Sequence, residues 1–125
     1  MSTPEKTRYT PEELEEFKQI ILKKLEETER EYQRLKSTLN DLVAASEDQY
    51  RTGEYLGNEY AEKVQLERLL QHTLKYRDAL QRALVRIENG TYGICKVTGK
   101  LIPRERLLAV PVAETLVEVK EKRNR

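Results

Sequence analysis

Two long series of mainly apolar residues, spaced three or four positions apart, constrain the fold of this chain most strongly. The first series is Leu14, Phe17, Ile21, Leu25, Thr28, Tyr32, Leu35, Leu39 and Leu42. The second is Leu66, Leu69, Thr73, Tyr76, Leu80, Ala83 and Ile87, with Leu70, Leu74 and Leu84 beside it. This spacing places the apolar side chains on one face of a helix, which then packs against a partner helix. The sequence therefore predicts a mainly α fold in which two long helices form an antiparallel coiled-coil hairpin.

Local signals set the expected limits of this hairpin at residues 10–89. The sequence Thr10-Pro11-Glu12-Glu13 can form a capping box with proline at the first helical position. We expect the first helix to end near Ala45 and the second to run from about Glu59 to Asn89. Gly90 then supplies the left-handed residue that commonly follows a helix. Residues 1–9 are polar and are predicted to be a flexible N-terminus.

The segment 46–58 is predicted to be the tip of the hairpin, because Gly53 and Gly57 interrupt the helical pattern. Residues 41–62 contain six acids and one base, whereas residues 63–95 and 96–125 carry net charges of +3 and +4. The whole chain carries a net charge of only +1. Such a distribution does not suit a generally basic nucleic-acid binder; it suits a protein with one acidic end and one basic end.

Composition and motifs exclude several classes of function. Charged residues make up 36% of the chain and aromatic residues 6%, which favours solvated helices over a thick core. A single cysteine excludes an intrachain disulfide, and no apolar run suggests a signal peptide or membrane span, so we expect a cytoplasmic protein. No phosphate-binding loop or nucleophile–base arrangement occurs. The sequence predicts that the protein is not an enzyme.

The last part of the chain, residues 90–125, is predicted to be a small module built on the hairpin. Tyr92–Val97 and Lys100–Ile102 can form a short β-hairpin around Thr98-Gly99, and a last helix is expected from Ala113 to about Lys122. The order Cys95-x-x-Thr98-Gly99 is half of a zinc knuckle, with its second thiol missing.

The sequence resembles the DksA/TraR zinc-finger family over this region. The resemblance is carried by two strings: Ala83-Leu84-Val85-Arg86-Ile87-Glu88-Asn89-Gly90-Thr91-Tyr92-Gly93-Ile94-Cys95, and Gly99-Lys100-Leu101-Ile102-Pro103-x-x-Arg106-Leu107-x-Ala109-x-Pro111. It implies a coiled-coil arm with a globular end that holds a Cys-x2-Cys-x17-Cys-x2-Cys zinc site and a C-terminal helix.

The four ligand positions implied by the resemblance fall on Cys95, Thr98, Leu116 and Val119. Only the first is a thiol, and the other three side chains cannot supply the thiolates of a structural zinc site. We therefore expect no zinc and no other cofactor. In place of the metal, we expect Leu116 and Val119 to pack against Ile94, Val97, Ile102 and Leu107.

The resemblance also implies a partner, RNA polymerase, whose secondary channel receives the arm. The family's acidic Asp-x-x-Asp-x-Ala motif would fall on Thr52, Tyr55 and Gly57, and none of these matches it. The tip remains acidic through Glu47, Asp48 and Glu54. The resemblance gives less support for binding of guanosine tetraphosphate. Lys120 follows the last ligand position, as in the family, but Ala79 and Val110 stand where the family's other basic residues for this ligand are expected.

Two further classes of function stay open at this point. The helical hairpin could self-associate or bind another helical partner, since the apolar face of its second helix is wider than packing against one helix requires. Tyr50, Tyr55 and Tyr60 could then form a contact patch. Direct DNA binding through the basic C-terminal region is the weaker alternative, because no recognition helix is identifiable. We expect no sequence-specific DNA binding.

Overall fold

Three helices account for most of the described chain. The computed structural model describes residues 7–52 and 57–117, and the side chains of all of these except 46–52 and 57–59. Helix α1 spans Pro11–Thr52, α2 spans Gly57–Asn89, and α3 spans Arg104–Ala109. The prediction of a mainly α fold with two long helices is confirmed. None of the helices described is long and apolar enough to cross a membrane.

The two predicted helix caps are present. The Thr10 backbone N–H donates to Glu13 Oε1 at 3.0 Å, and the Glu13 N–H donates to Thr10 Oγ1 at 3.2 Å, which is a reciprocal capping box. At the end of α2, Gly90 has a φ of +77°, and its N–H donates to Ile87 O while that of Thr91 donates to Arg86 O. These two bonds form a Schellman motif.

Three predicted boundaries need correction. Helix α1 continues to Thr52, so its expected end near Ala45 was too early; residues 53–56 of the predicted tip lie outside the described chain. The expected two-stranded hairpin is a single antiparallel bridge between Ile94 and Leu101. Residues 113–116 are not helical, so the last helix cannot begin at Ala113, and residues 118–125 lie outside the described chain.

The chain divides into two compact units, and the division falls inside both long helices. The described residues up to Lys24 and from Ala79 onward form one unit, the base unit, and Leu25–Asp78 forms the other, the arm unit. About the first four turns of α1 and the last three turns of α2 therefore belong to the same compact unit as the segment 90–117.

Three aromatic rings lie at the centre of the base unit. The centroids of Tyr9 and Phe17 are 5.1 Å apart, and those of Phe17 and Tyr92 are 5.2 Å apart. The rest of its buried apolar core consists of Ile21, Leu80, Ala83, Cys95, Ile102, Leu107 and Ala113. The prediction of a flexible N-terminus was therefore wrong for Tyr9, which is 6% exposed. Contacts between aromatic rings at this distance add to the free energy gained from burial.

The arm unit contains the middle of both apolar stripes. Thr28 and Leu35 are buried, and Tyr32 and Tyr76 are half-buried, as the periodicity predicts. Burial raises the pKa of Tyr76, and the nearby Glu27 carboxylate adds to the rise. Leu69 departs from the pattern, because 42% of its surface is exposed.

An ion pair links the two helices of the arm unit. Arg77 Nη1 lies 3.0 Å from Glu29 Oε2, and the Arg77 guanidinium carbon lies 5.0 Å from the centre of the Tyr32 ring. Hydrogen bonds from Gln33 and Arg77 lower the pKa of Glu29. These contacts join α1 to α2 beside the apolar stripes.

Candidate functional site

The turn around Cys95 has the hydrogen bonds of a knuckle. The Cys95 N–H donates to Lys100 O at 2.8 Å, and the Gly99 N–H donates back to Cys95 O at 2.8 Å. The Thr98 N–H lies 3.5 Å from Cys95 Sγ, and the Lys100 N–H donates to Thr98 Oγ1 at 3.3 Å. The backbone thus closes a tight loop around the sulfur.

The Cys95 sulfur is buried, with 1% of the residue exposed, yet it lies among hydrogen-bond donors. Burial by itself raises the pKa of the thiol. The Thr98 hydroxyl and the backbone N–H groups of Thr98, Leu116 and Val97 outweigh that effect and lower the pKa to about 7. Each of these donors favours the thiolate over the thiol.

Three of the four predicted ligand positions therefore come together. The backbone of Leu116 reaches the Cys95 sulfur from the segment that follows α3, and Thr98 lies in the same turn as Cys95. Val119 lies outside the described residues. The side chains present do not fit a structural zinc site, since they offer one thiol, one hydroxyl and one aliphatic chain. No group of three metal-binding His, Cys, Asp or Glu side chains occurs within residues 7–52 and 57–117.

The apolar packing expected in place of zinc is only partly as predicted. Ile102 and Leu107 are fully buried, and Leu116 is half-buried. Val97 is 54% exposed, so its predicted place in this core was wrong. Tyr92 of the same unit is fully buried, and its hydroxyl donates to Pro111 O at 2.8 Å.

The segment after α3 is held by its backbone groups rather than by helix formation. The Lys96 N–H donates to Glu114 O at 2.9 Å, and Arg106 Nε donates to Thr115 O at 2.9 Å. Because these carbonyls bind groups outside their own segment, residues 113–116 do not form helical hydrogen bonds. This is the physical reason why no helix begins at Ala113.

A partly buried ion cluster lies beside the knuckle. Arg86 Nη1 lies 2.6 Å from Glu114 Oε1, and Lys96 Nζ lies 2.9 Å from Glu114 Oε2. The Lys96 hydrogen bond lowers the pKa of Glu114; partial burial opposes this, and the charges of Arg86, Lys96 and Arg82 add to the lowering. Only 21% of the Arg86 side chain and 29% of the Glu114 side chain are exposed.

The residues predicted to contact a partner lie at the other end of the long helices. Glu47, Asp48 and Thr52 belong to the last part of α1, and Gly57 is the first residue of α2. Their backbone positions are described but their side chains are not, and Glu54 and Tyr55 lie outside the described residues.

Comparison with known proteins gives both short and nearly full-length similarities. The chain is 53% identical over 47 residues to YteA of Bacillus subtilis and 51% identical over 41 residues to general stress protein 16O of the same organism. These stretches cover 38% and 33% of this chain but only 20% and 25% of the two relatives. No protein-family model matches the sequence.

The decisive similarity covers nearly the whole chain. The RNA polymerase-binding transcription factor DksA of Caulobacter vibrioides is 32% identical over 130 aligned positions, which cover 97% of this chain and 89% of the relative. The chain belongs to the DksA family. The structure of transcription factor DksA2 from Pseudomonas aeruginosa agrees, with a TM-score of 0.75 and 28% identity over 89% of this chain and 82% of that one.

In this DksA-family chain, the two strings that carry the sequence resemblance form the helix cap, the knuckle and part of the core of the base unit. The string from Gly90 to Cys95 forms the helix cap and the first half of the knuckle, and Ile102 and Leu107 of the second string are core residues. Sequence reasoning missed the buried Tyr9 and the partly buried ion pair of Arg86. The signal for Tyr9 was faint: it is an aromatic residue directly before a strong helix cap, where an apolar residue often packs back onto the helix.

Proposed function

We propose that this protein is a DksA-like transcription regulator that binds RNA polymerase through its helical arm. The observation that carries the proposal is the 32% identity, over nearly the full length of both chains, to a transcription factor named for binding that enzyme. The structural similarity to DksA2 extends the relationship to the fold. We assign the protein no enzymatic reaction, and its place of action is that of its partner, the cytoplasm.

We further propose that the arm enters the secondary channel of the polymerase tip first, so that residues 46–58 lie deepest in the channel. The net charge of −5 over residues 41–62 favours attraction to a channel that leads to a bound metal ion. Thr52, Tyr55 and Gly57 replace the family's aspartate motif, so the contacts at the tip must differ from those of the family pattern. We expect Glu47, Asp48 and Glu54 to supply the acidic character instead.

The decisive experiment measures binding of the purified chain to purified RNA polymerase at low and moderate salt. We expect binding that weakens as salt rises, because exposed charges are screened. The double variant E47Q/D48Q should bind more weakly than the matched control E27Q/E88Q, which removes two exposed acids elsewhere on the helices. Absence of binding by the wild-type chain at low salt would refute the proposed function.

A second measurement tests the route of entry. When Fe²⁺ replaces the catalytic Mg²⁺ of the polymerase, hydroxyl radicals cleave any protein backbone close to the metal. We expect cleavage of the bound chain confined to residues near 46–58. Cleavage within 90–117, or none at all in a complex that binds tightly, would show that the tip does not enter the channel.

We also propose that the protein works without zinc. The proposal rests on the donor set around Cys95, in which a threonine and a leucine occupy positions that require thiolates. We expect substoichiometric zinc in protein purified from zinc-supplemented cells and a melting temperature that does not change with a strong chelator. One zinc ion per chain, lost together with the folded state on chelation, would refute it.

A second candidate function is self-association or binding of another helical partner. It is favoured by the exposure of Tyr60 and Leu69 on α2, at 60% and 42%. Sedimentation equilibrium over micromolar concentrations tests it, since an association that uses either exposed side chain should weaken in the variant Y60S/L69S. A monomer at every concentration, together with polymerase binding that this variant leaves unchanged, would exclude the second candidate.

A further inference from the structure

A shallow groove in the base unit combines apolar surface with excess positive charge. We call it the basic groove. It has a volume of about 350 Å³ and is lined by Arg82, Val85, Arg86, Ile94, Lys96 and Glu114. Its lining residues come from the last turns of α2, from the knuckle and from the segment after α3. None of them belongs to the predicted tip, so the groove is separate from the surface proposed above to enter the polymerase.

The charges of the basic groove are not balanced. Three bases face one acid, and Glu114 already accepts hydrogen bonds from both Arg86 and Lys96. The Arg82 side chain makes no hydrogen bond or ion pair to any described residue, although its charge helps to lower the pKa of Glu114. Two positive charges therefore stay without a neutralising partner within the described part of the chain.

One donor of the basic groove is buried without an acceptor. Arg86 Nη2 is shielded from solvent and has no hydrogen-bond partner among the described residues, while Nη1 of the same guanidinium binds Glu114. Buried donors of this kind are nearly always paired in folded proteins, and leaving one unpaired costs free energy. Glu114 therefore satisfies only part of the Arg86 guanidinium, which adds its charge to the wall of the basic groove.

The apolar part of the basic groove limits what the acceptor belongs to. Val85 is 53% exposed at its wall and Ile94 is half-buried beside it. A single strand of nucleic acid would require aromatic side chains for stacking and a continuous line of bases, and the groove has neither. A carboxylate next to an aliphatic side chain, as in an acidic peptide, complements both parts of the lining.

We propose that the basic groove is a docking site for an acidic peptide segment of a protein partner. A carboxylate of that segment binds Arg82 and Lys96, and an apolar side chain beside it covers Val85. This contact is independent of the proposed tip contact and would exist whether or not the tip enters RNA polymerase.

The test is an NMR titration of the full chain with three capped peptides. The first is Ac-Ala-Glu-Leu-Glu-Ala-NH₂, the second replaces both glutamates with glutamine, and the third replaces the leucine with serine. We expect the first peptide to shift the methyl signals of Val85 and Ile94, and both substituted peptides to bind several-fold more weakly. Equal binding of the glutamine peptide would refute the proposal, because it would show that charge plays no part.

Matched variants connect the binding to these residues. R82Q/K96Q removes two bases from the basic groove, and R68Q/K75Q removes two exposed bases from α2 of the arm unit. We expect the first variant to bind the acidic peptide about five- to tenfold more weakly, since each exposed charge pair contributes a modest free energy, and the second to bind nearly as the wild type does. Equal loss in both would show non-specific attraction by net charge.

Two further outcomes of the titration would overturn the proposal, and a variant at an exposed position provides a test that does not depend on a change in folding. If inorganic phosphate or an oligothymidine shifts the same methyl signals as strongly as the peptide, the groove is a general anion site. If the signals shift with protein concentration alone, its occupant is a second copy of this chain. V85S, at an exposed position that should not affect folding, must weaken peptide binding if the apolar wall takes part.

Discussion

The Tyr9 hydroxyl donates a 2.5 Å hydrogen bond to the backbone carbonyl of Ile102, a residue 93 positions later in the chain. Both residues are buried, and the Tyr9 ring packs edge-on against Phe17. The bond therefore ties the segment before α1 to the end of the knuckle. Burial raises the pKa of Tyr9, and the Glu13 carboxylate adds to the rise while Arg104 opposes it, so the hydroxyl stays a donor at neutral pH.

The first prediction concerns this hydroxyl. Y9F should lower the free energy of unfolding by about 1–2 kcal/mol, because it leaves the buried Ile102 carbonyl without that donor. Urea denaturation of the full chain measures the change. Y60F is the matched control, since Tyr60 is 60% exposed, and it should be neutral. Equal stability of Y9F and wild type would show that the bond contributes nothing net.

The second prediction compares two glycines with similar backbone angles. Gly93 has a φ of +81°, and a Cβ added there would lie 2.5 Å from the Tyr9 ring; Gly90 has a φ of +77° and open space around the same position. We expect G90A to cost about 1 kcal/mol from the backbone alone. G93A should cost markedly more, because the Tyr9 ring must also move.

A double-mutant cycle separates the two contributions at Gly93. In the background of Y9A, which removes the ring, the further cost of G93A should fall to that of G90A. Chemical denaturation of the four proteins provides the cycle. An undiminished cost in the Y9A background would contradict the steric explanation.

The third prediction is a pH dependence caused by Cys95. Because the pKa of the folded thiol is about 7, below its ordinary value of 9.0, the folded state favours the thiolate. The resulting stabilisation is fully present above the ordinary pKa and is lost as the pH falls through 7. Between pH 7 and pH 9 the free energy of unfolding of the wild type should rise, relative to C95A, by an amount on the order of 2 kcal/mol.

Guanidinium denaturation of both proteins across this pH range measures the difference. T98V removes the hydroxyl donor and should reduce the rise without abolishing it, because the backbone donors stay in place. A difference between wild type and C95A that is constant from pH 6 to pH 9 would show that the thiol titrates equally in the folded and unfolded states.

The fourth prediction concerns the carboxylate of Glu114, which neutralises the half-buried Arg86. E114Q should destabilise the fold by about 1–2 kcal/mol, since it leaves a partly desolvated guanidinium without its counter-ion. E16Q breaks the exposed pair with Arg104, whose atoms are 3.0 Å apart, and should cost at most about 0.5 kcal/mol. Thermal denaturation at neutral pH compares the two.

The same carboxylate gives a second, independent readout. Its pKa is lowered in the fold, so its stabilisation is present above the ordinary value of 4.5 and is lost as the pH falls through the lower folded value. The stability difference between wild type and E114Q should therefore shrink in acid. A difference that does not change down to pH 3 would rule out the ion pair as its cause.

Local patterns predicted the helices and their caps, and they did so for physical reasons. The spacing of apolar residues and the Thr10–Glu13 box are properties of a few consecutive turns, and they need no knowledge of the rest of the fold. The buried Tyr9 and the partly buried Arg86 depend on contacts with residues about 90 and 28 positions away, and no local pattern carries that information. Val97 seemed suited to the core but lies on the outer side of the knuckle turn.

The candidate site was predictable only in part. Motif spacing brought Cys95, Thr98 and Leu116 to one place, as the structure shows, but it could not show that the contacts to the sulfur are mainly backbone N–H groups. The basic groove was not predicted, because its bases come from separate segments and become neighbours only after folding.

The backbone donors around the Cys95 sulfur have a consequence for how such a knuckle changes during evolution. Main-chain N–H groups are present whatever side chain a position carries, proline excepted. Codons 97, 98 and 116 can therefore drift one at a time while the sulfur keeps most of its hydrogen bonds. A side-chain change at these positions therefore leaves the hydrogen bonds from the main chain to the sulfur in place.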